Sequence, residues 1–179
     1  MRIKCEKAAA VCVDYQEKLL PAVFDSEKLI SDSVKLLNGL KTLGVPMYLT
    51  QQYTKGLGAT IAPIREAAGT EEYLEKIRYS AYSLLEERLV SPEKTPYVII
   101  CGIESHVCVL QTAMELKEHG YQPYLVTNCI ASRKREDYEA ALARAKQEGI
   151  LLTTYEAVLF ELLEIAGTPE SKVVQKIVR

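Results

Sequence analysis

The chain has 179 residues, a length that favours one compact domain, and 22 basic against 24 acidic side chains leave a net charge of −2. That balance gives no broad pull toward nucleic-acid phosphates or anionic lipid, so neither nucleic acid nor a membrane is an expected partner. With 48% hydrophobic and 26% charged residues, the composition is that of an ordinary globular chain able to build a sizeable core.

Residues 8–13 form the first apolar run, which ends on the acidic Asp14. The run is far shorter than a membrane helix and has no convincing cleavage region, so it is read as a buried strand of a cytoplasmic protein. Helix periodicity follows over 27–43, with Asp25 or Ser26 as its cap and Gly44 as its stop, and a second strand over 45–50. Residues 51–63 read as irregular. Within them Lys55-Gly56-Leu57-Gly58 lacks the spacing of a nucleotide-binding loop and is expected to be a lid or a subunit contact. Beyond a charged stretch at 75–80 come a helix (83–89), a strand (97–101), a helix (106–117), a strand (123–127), a helix (138–147), a strand (150–153) and a helix (156–165). The chain closes with a helix at about 169–178 that carries Val173, Val174, Ile177 and Val178 on one side. Apolar runs without polar alternation, each followed by a helix, predict a parallel sheet covered on both faces.

In such sheets ligands bind beyond the carboxyl ends of the strands, where the strand order reverses. Asp14 follows the first strand, and Gly102-Ile103-Glu104-Ser105-His106-Val107-Cys108 follows the strand at 97–101. Cys108 is placed in the first turn of a helix capped by Ser105, where unpaired backbone N–H groups are expected to lower a thiol's pKa and to hold an oxyanion. Position alone leaves two readings, a nucleophile or a small buried thiol packing the helix start. Cys12 and Cys101 read as core, Cys5 as near a terminus, and Cys129 as part of a loop after the fifth strand. Five cysteines without a tight pair speak against both a disulfide framework and a zinc knuckle. His106 and His119 do not face Cys108 and are expected to be solvated or to cap helices. A carboxylate at Asp14 and an ammonium at Lys76 would suit thiol chemistry, although either residue alone also reads as a surface charge.

Three segments together, Val13-Asp14-Tyr15-Gln16, Lys76-Ile77-Arg78-Tyr79-Ser80 and Gly102 to Val109, resemble the cysteine hydrolases of the isochorismatase-like superfamily in order and spacing. The similarity extends over about residues 8–163. Gln52 to Gly58 and Ala131-Ser132-Arg133 resemble the isochorismatase domain-containing subgroup. The resemblance implies a single-domain α/β fold over 1–179, a doubly wound six-stranded parallel sheet in a Rossmann-type three-layer sandwich. It also implies a catalytic triad of Asp14, Lys76 and Cys108, a cis peptide at Ile103–Glu104, and an oxyanion hole from the backbone N–H groups of Glu104 and Cys108. Tyr15, Gln16, Gln52, Tyr53 and Tyr79 become candidate substrate contacts.

The implied reaction is cleavage of a small amide, imide or carbamate through a cysteine thioester, with no cofactor, by a homo-oligomer. Nicotinamidases of the superfamily bind a metal after the second strand through an aspartate and histidines. Here that place reads Gln51-Gln52-Tyr53, so no metal is expected. True isochorismatases lack the cysteine, so Cys108 points away from that activity. Two other classes stay open on sequence: a non-enzymatic scaffold of the same fold, and a thiol redox protein resolved by Cys12 or Cys129.

Overall fold

The computed structural model describes residues 2–179. In chain order it contains β1 (Ala8–Val13), α1 (Ser26–Thr42), β2 (Met47–Gln52), α2 (Thr54–Leu57), α3 (Ala62–Ala68), β3 (Leu74–Lys76), α4 (Tyr82–Leu85) and β4 (Tyr97–Ile103). A π-helical turn (Ser105–Val109) then leads into α5 (Leu110–Glu118), β5 (Gln122–Ala131), α6 (Arg135–Gln147), β6 (Leu151–Thr153), α7 (Tyr155–Leu163) and α8 (Pro169–Val178). Six strands form one sheet in the order β3-β2-β1-β4-β5-β6, with every neighbouring pair parallel. This is the doubly wound α/β architecture that the sequence predicts.

Two cores flank the sheet, and the strands divide their side chains between them by the two-residue pleat. Ala8, Ala10 and Cys12 of β1 face one core with α1, α3, α7 and α8, whereas Ala9, Val11 and Val13 face the other with α4, α5 and α6. Because helices cover both sides, all of β1 and β4 is buried, which is why those runs carry no polar alternation.

Several local expectations are corrected. Cys129 lies inside β5, not in a loop. The strand carries extra residues where its pairing jumps from Ile100 with Leu125 to Gly102 with Ile130, and this bulge puts the polar Thr127-Asn128 in mid-strand. Neither Asp25 nor Ser26 caps α1 with its side chain; Asp25 is left-handed (φ 48°) and pairs with Arg135 instead. Residues 51–63 are largely ordered into the end of β2, α2 and the start of α3, and the helix expected over 83–89 shortens to α4. The Lys55–Gly58 segment is tied to the body: Lys18 donates to the carbonyls of Gly56 and Leu57, and the Gln16 amide to that of Gly58. On α8, Val174 is fully buried while Val173 is exposed.

Candidate active site

The order of the sheet reverses between β1 and β4, and the candidate residues gather at the carboxyl ends of four neighbouring strands. Asp14 follows β1, Thr50 and Gln52 close β2, Lys76 closes β3, and Cys108 lies in the π-helical turn after β4. The close approach of β1 and β4 requires glycine at 102. Its φ is +124°, and a Cβ there would lie 2.0 Å from the carbonyl oxygen of Val13. The next peptide, Ile103–Glu104, is cis.

Asp14 and Lys76 form an ion pair with Oδ2 and Nζ 2.7 Å apart and side-chain exposures of 0% and 2%. Thr50 Oγ1 donates to the other Asp14 oxygen at 2.7 Å. Lys76 Nζ also donates to Gln52 Oε1 (2.7 Å) and to the Tyr79 carbonyl (2.9 Å). Cys108, 7% exposed, interacts through its thiol with both members of the pair. Its carbonyl accepts from Thr112 Oγ1, which in turn accepts from the Ala81 N–H, so the turn is tied to the segment that carries Lys76.

The expected lowering of the Cys108 pKa is reversed. Burial, followed by the neighbouring Asp14 carboxylate, pushes the thiol up to about 12, and the opposing pull of Lys76 does not offset them. The resting group is therefore a neutral thiol beside a carboxylate, an arrangement in which a proton can pass from sulfur to oxygen during attack on an electrophile.

The candidate substrate contacts separate by position. Tyr15 is fully buried against the opposite core, where its hydroxyl donates to the Cys129 carbonyl (2.8 Å) and meets Ser33 Oγ (2.7 Å). Gln16 is also fully buried, and its amide bonds the backbone of Gln52 and Gly58. Both side chains are turned to the protein's interior and spend their polar atoms on it. Gln52 holds Lys76 and the Ile77 carbonyl. Tyr53 and Tyr79 stand open, 50% and 57% exposed, on segments that bond to Lys76.

Around the π-helical turn, Glu104 accepts from the backbone N–H and Nε of Arg133, and the Glu104 carbonyl accepts from the N–H groups of Val107 and Val109. Ser105 is no cap, because its hydroxyl is buried without a partner. His106 Nδ1 meets Ser132 Oγ, and His119 Nδ1 meets the Glu115 carbonyl at the end of α5. Cys12, Cys101 and Cys129 all lie in the core across the sheet from Cys108. Gln51 bonds to Thr60 and Thr54, and among the described residues no His, Cys, Asp and Glu side chains cluster to hold a metal. The sequence reading missed Thr50 and Thr112. Thr50 was marked only as the end of an apolar run, and Thr112 by its place one helical turn after Cys108.

The isochorismatase domain model matches residues 8–157. This chain belongs to the isochorismatase family. Isochorismatase domain-containing protein 2 of Danio rerio is 33% identical over 98% of this chain and 89% of its own length. The structure of the MAR1 ribonuclease from Caenorhabditis elegans superposes with a TM-score of 0.92 at 32% identity, covering 99% of this chain and 92% of that one. An octameric hydrolase of unknown specificity from Escherichia coli shares the fold, with a TM-score of 0.89 at 22% identity over 99% of this chain and 90% of its own. Isochorismatase-like proteins are generally hydrolases.

Proposed function

We propose that the protein is a metal-independent cysteine hydrolase, a single-domain enzyme acting on the C–N bond of a small amide, imide or carbamate. The observation that carries this reading is a neutral, nearly closed thiol placed against a buried carboxylate–ammonium pair. In the proposed cycle Cys108 Sγ attacks the carbonyl carbon while its proton passes to Asp14. The tetrahedral oxyanion is held by the backbone N–H groups of Glu104 and Cys108. Asp14 then protonates the departing nitrogen, the C–N bond breaks, and a thioester remains. Water, deprotonated by Asp14, attacks the thioester, releases the acid and returns the proton to sulfur. Lys76 holds Asp14 in place through the ion pair. Tyr53 and Tyr79 are the proposed substrate contacts, with Gln52 acting through Lys76.

The exposure of Cys108 at 7% suits a small substrate rather than a polymer. No helix among the described residues is long and apolar enough to cross a membrane, and we place the enzyme in the cytoplasm, as a homo-oligomer like the octameric relative. The location of Cys12 and Cys129 across the sheet counts against a redox cycle on Cys108. A buried charge pair beside a thiol is more than a scaffold needs.

The decisive experiment mixes the protein with p-nitrophenyl acetate and follows the intact mass. The expected result is one acetyl group on Cys108 that turns over, with no acylation of that site in Cys108→Ala and slowed turnover in Asp14→Asn. Turnover that survives Cys108→Ala would sink the reading. Likeness to the MAR1 ribonuclease favours a second reading, RNA cleavage. Loss of single-stranded RNA in the wild type but not in Cys108→Ala would establish it, and no Cys108-dependent loss is expected.

A further inference from the structure

We propose that Gln52 is a positioning residue that holds the Lys76 ammonium on Asp14, and that Gln16 sets Gln52 in place. The inference deepens the proposed function at the same site, but its grounds are the hydrogen bonds of the resting protein.

An ammonium has three N–H donors. At 2% side-chain exposure Lys76 has three oxygens around it: Asp14 Oδ2 at 2.7 Å as an ion pair, and Gln52 Oε1 at 2.7 Å and the Tyr79 carbonyl at 2.9 Å as hydrogen-bond acceptors. Only the first is charged. The two neutral oxygens stand in for water, so a buried cation can face a single carboxylate. The Gln52 amide cannot exchange its oxygen for its nitrogen, because Nε2 donates to the Ile77 carbonyl at 2.7 Å.

Gln16 explains why Gln52 is at the right height. At Asp14 the chain turns left-handed (φ 51°), and the backbone of β1 stops pairing with β2 after Val13 and Thr50. Beyond that point the Gln16 side chain continues the ladder. Its Oε1 accepts the Gln52 N–H at 2.7 Å, and its Nε2 donates to the Gln52 carbonyl at 3.0 Å. A side-chain amide thus substitutes for a strand, and the register of Gln52 with Lys76 on β3 is kept.

If Gln52 acts through Lys76, removing it should matter only while Lys76 is present. The charged groups facing the Cys108 thiol are Asp14 from the end of β1 and Lys76 from the end of β3. The test measures iodoacetamide alkylation of Cys108 by peptide mass mapping between about pH 7 and 10, in the full chain and in Gln52→Leu, Lys76→Met and the double variant. Gln52→Leu is expected to slow Cys108 by about tenfold at fixed pH, equivalent to about one pKa unit. The double variant should be no slower than Lys76→Met alone.

A Gln52→Leu effect that persists undiminished on Lys76→Met, or no effect at all, overturns the proposal, since a merely structural role would add. Should Gln52→Leu not fold, Gln52→Asn withdraws the acceptor while keeping the amide, and the same cycle applies. Alkylation needs no turnover, so failure here is distinct from failure to trap a thioester.

Discussion

At Cys108 two opposite charges act on one sulfur, so substitutions of equal severity should move it in opposite directions. Asp14 raises the thiol and Lys76 lowers it. Asp14→Asn is therefore expected to speed iodoacetamide alkylation of Cys108 at pH 8, and Lys76→Met to slow it, each by about tenfold or more. Both variants should slow p-nitrophenyl acetate turnover, Asp14→Asn because the more available thiolate lacks a proton acceptor and Lys76→Met because Asp14 is no longer held and the thiolate is scarcer. Parallel changes in the two alkylation rates would contradict this account of the charges. Thr50→Val tests the carboxylate's other oxygen. It leaves that oxygen buried without its donor and should lower stability by about 1–3 kcal/mol in denaturant titration, with little change in volume. Asp14 and Cys108 stand out in the sequence because they follow apolar runs at strand ends, whereas Lys76 lies in a charged stretch and is singled out only by the family resemblance. Thr50, Gln16 and Gln52 take their roles from cross-strand register, which no single segment displays. The direction of the Cys108 shift was misread because a helix start is visible in sequence, whereas the burial that outweighs it is not.

Among the elements, those with long uninterrupted apolar runs or clear helical periods were readable, and those set by tertiary contact were not. β1 and β4 are buried on both faces and announce themselves. β3 has three residues, Leu74-Glu75-Lys76, and pairs only with β2, so its strand character comes from the partner's edge. β5 hides its length behind the bulge at Thr127-Asn128, where Asn128 Oδ1 caps the first N–H of α7 and the Tyr138 hydroxyl takes the Thr127 carbonyl. The turn into α5 is π-helical, and it accordingly offers no side-chain cap of the kind expected from Ser105. The junction of β1 with β4 is the element-scale feature most exposed to a single substitution. Gly102→Ala would place a methyl group 2.0 Å from the Val13 carbonyl at φ +124°, so the strands must part or the backbone must turn. A loss of more than about 3 kcal/mol is expected in denaturant titration, together with loss of Cys108 acylation. Near-native stability and acylation in that variant would show that the two strand ends are not held to each other as described.

For the molecule as a whole, ionisation of its interior ties stability to alkaline pH. Burial raises the thiols of Cys12, Cys129 and Cys108 and the Tyr15 phenol above their ordinary values, with a Cys101 hydrogen bond as the leading cause at Cys12. Each group binds its proton more tightly folded than unfolded. The stability they contribute is present in full below the unfolded values, 9.0 for a thiol and 10.0 for a phenol, and is lost as pH climbs toward the folded ones. The melting temperature should therefore stay level from about pH 7 to 8.5 and fall steadily above about pH 9, before any surface lysine has titrated far. Cys108 is one of the groups so raised, to about 12, so in Cys108→Ala the fall should be shallower, and the two curves should diverge only on the alkaline side. Parallel curves throughout would mean that the buried Cys108 thiol is not what alkali attacks. The same melts, run beside light scattering, also test assembly. A homo-oligomer should show a mass that is a multiple of 20.0 kDa and a melting temperature that rises with protein concentration.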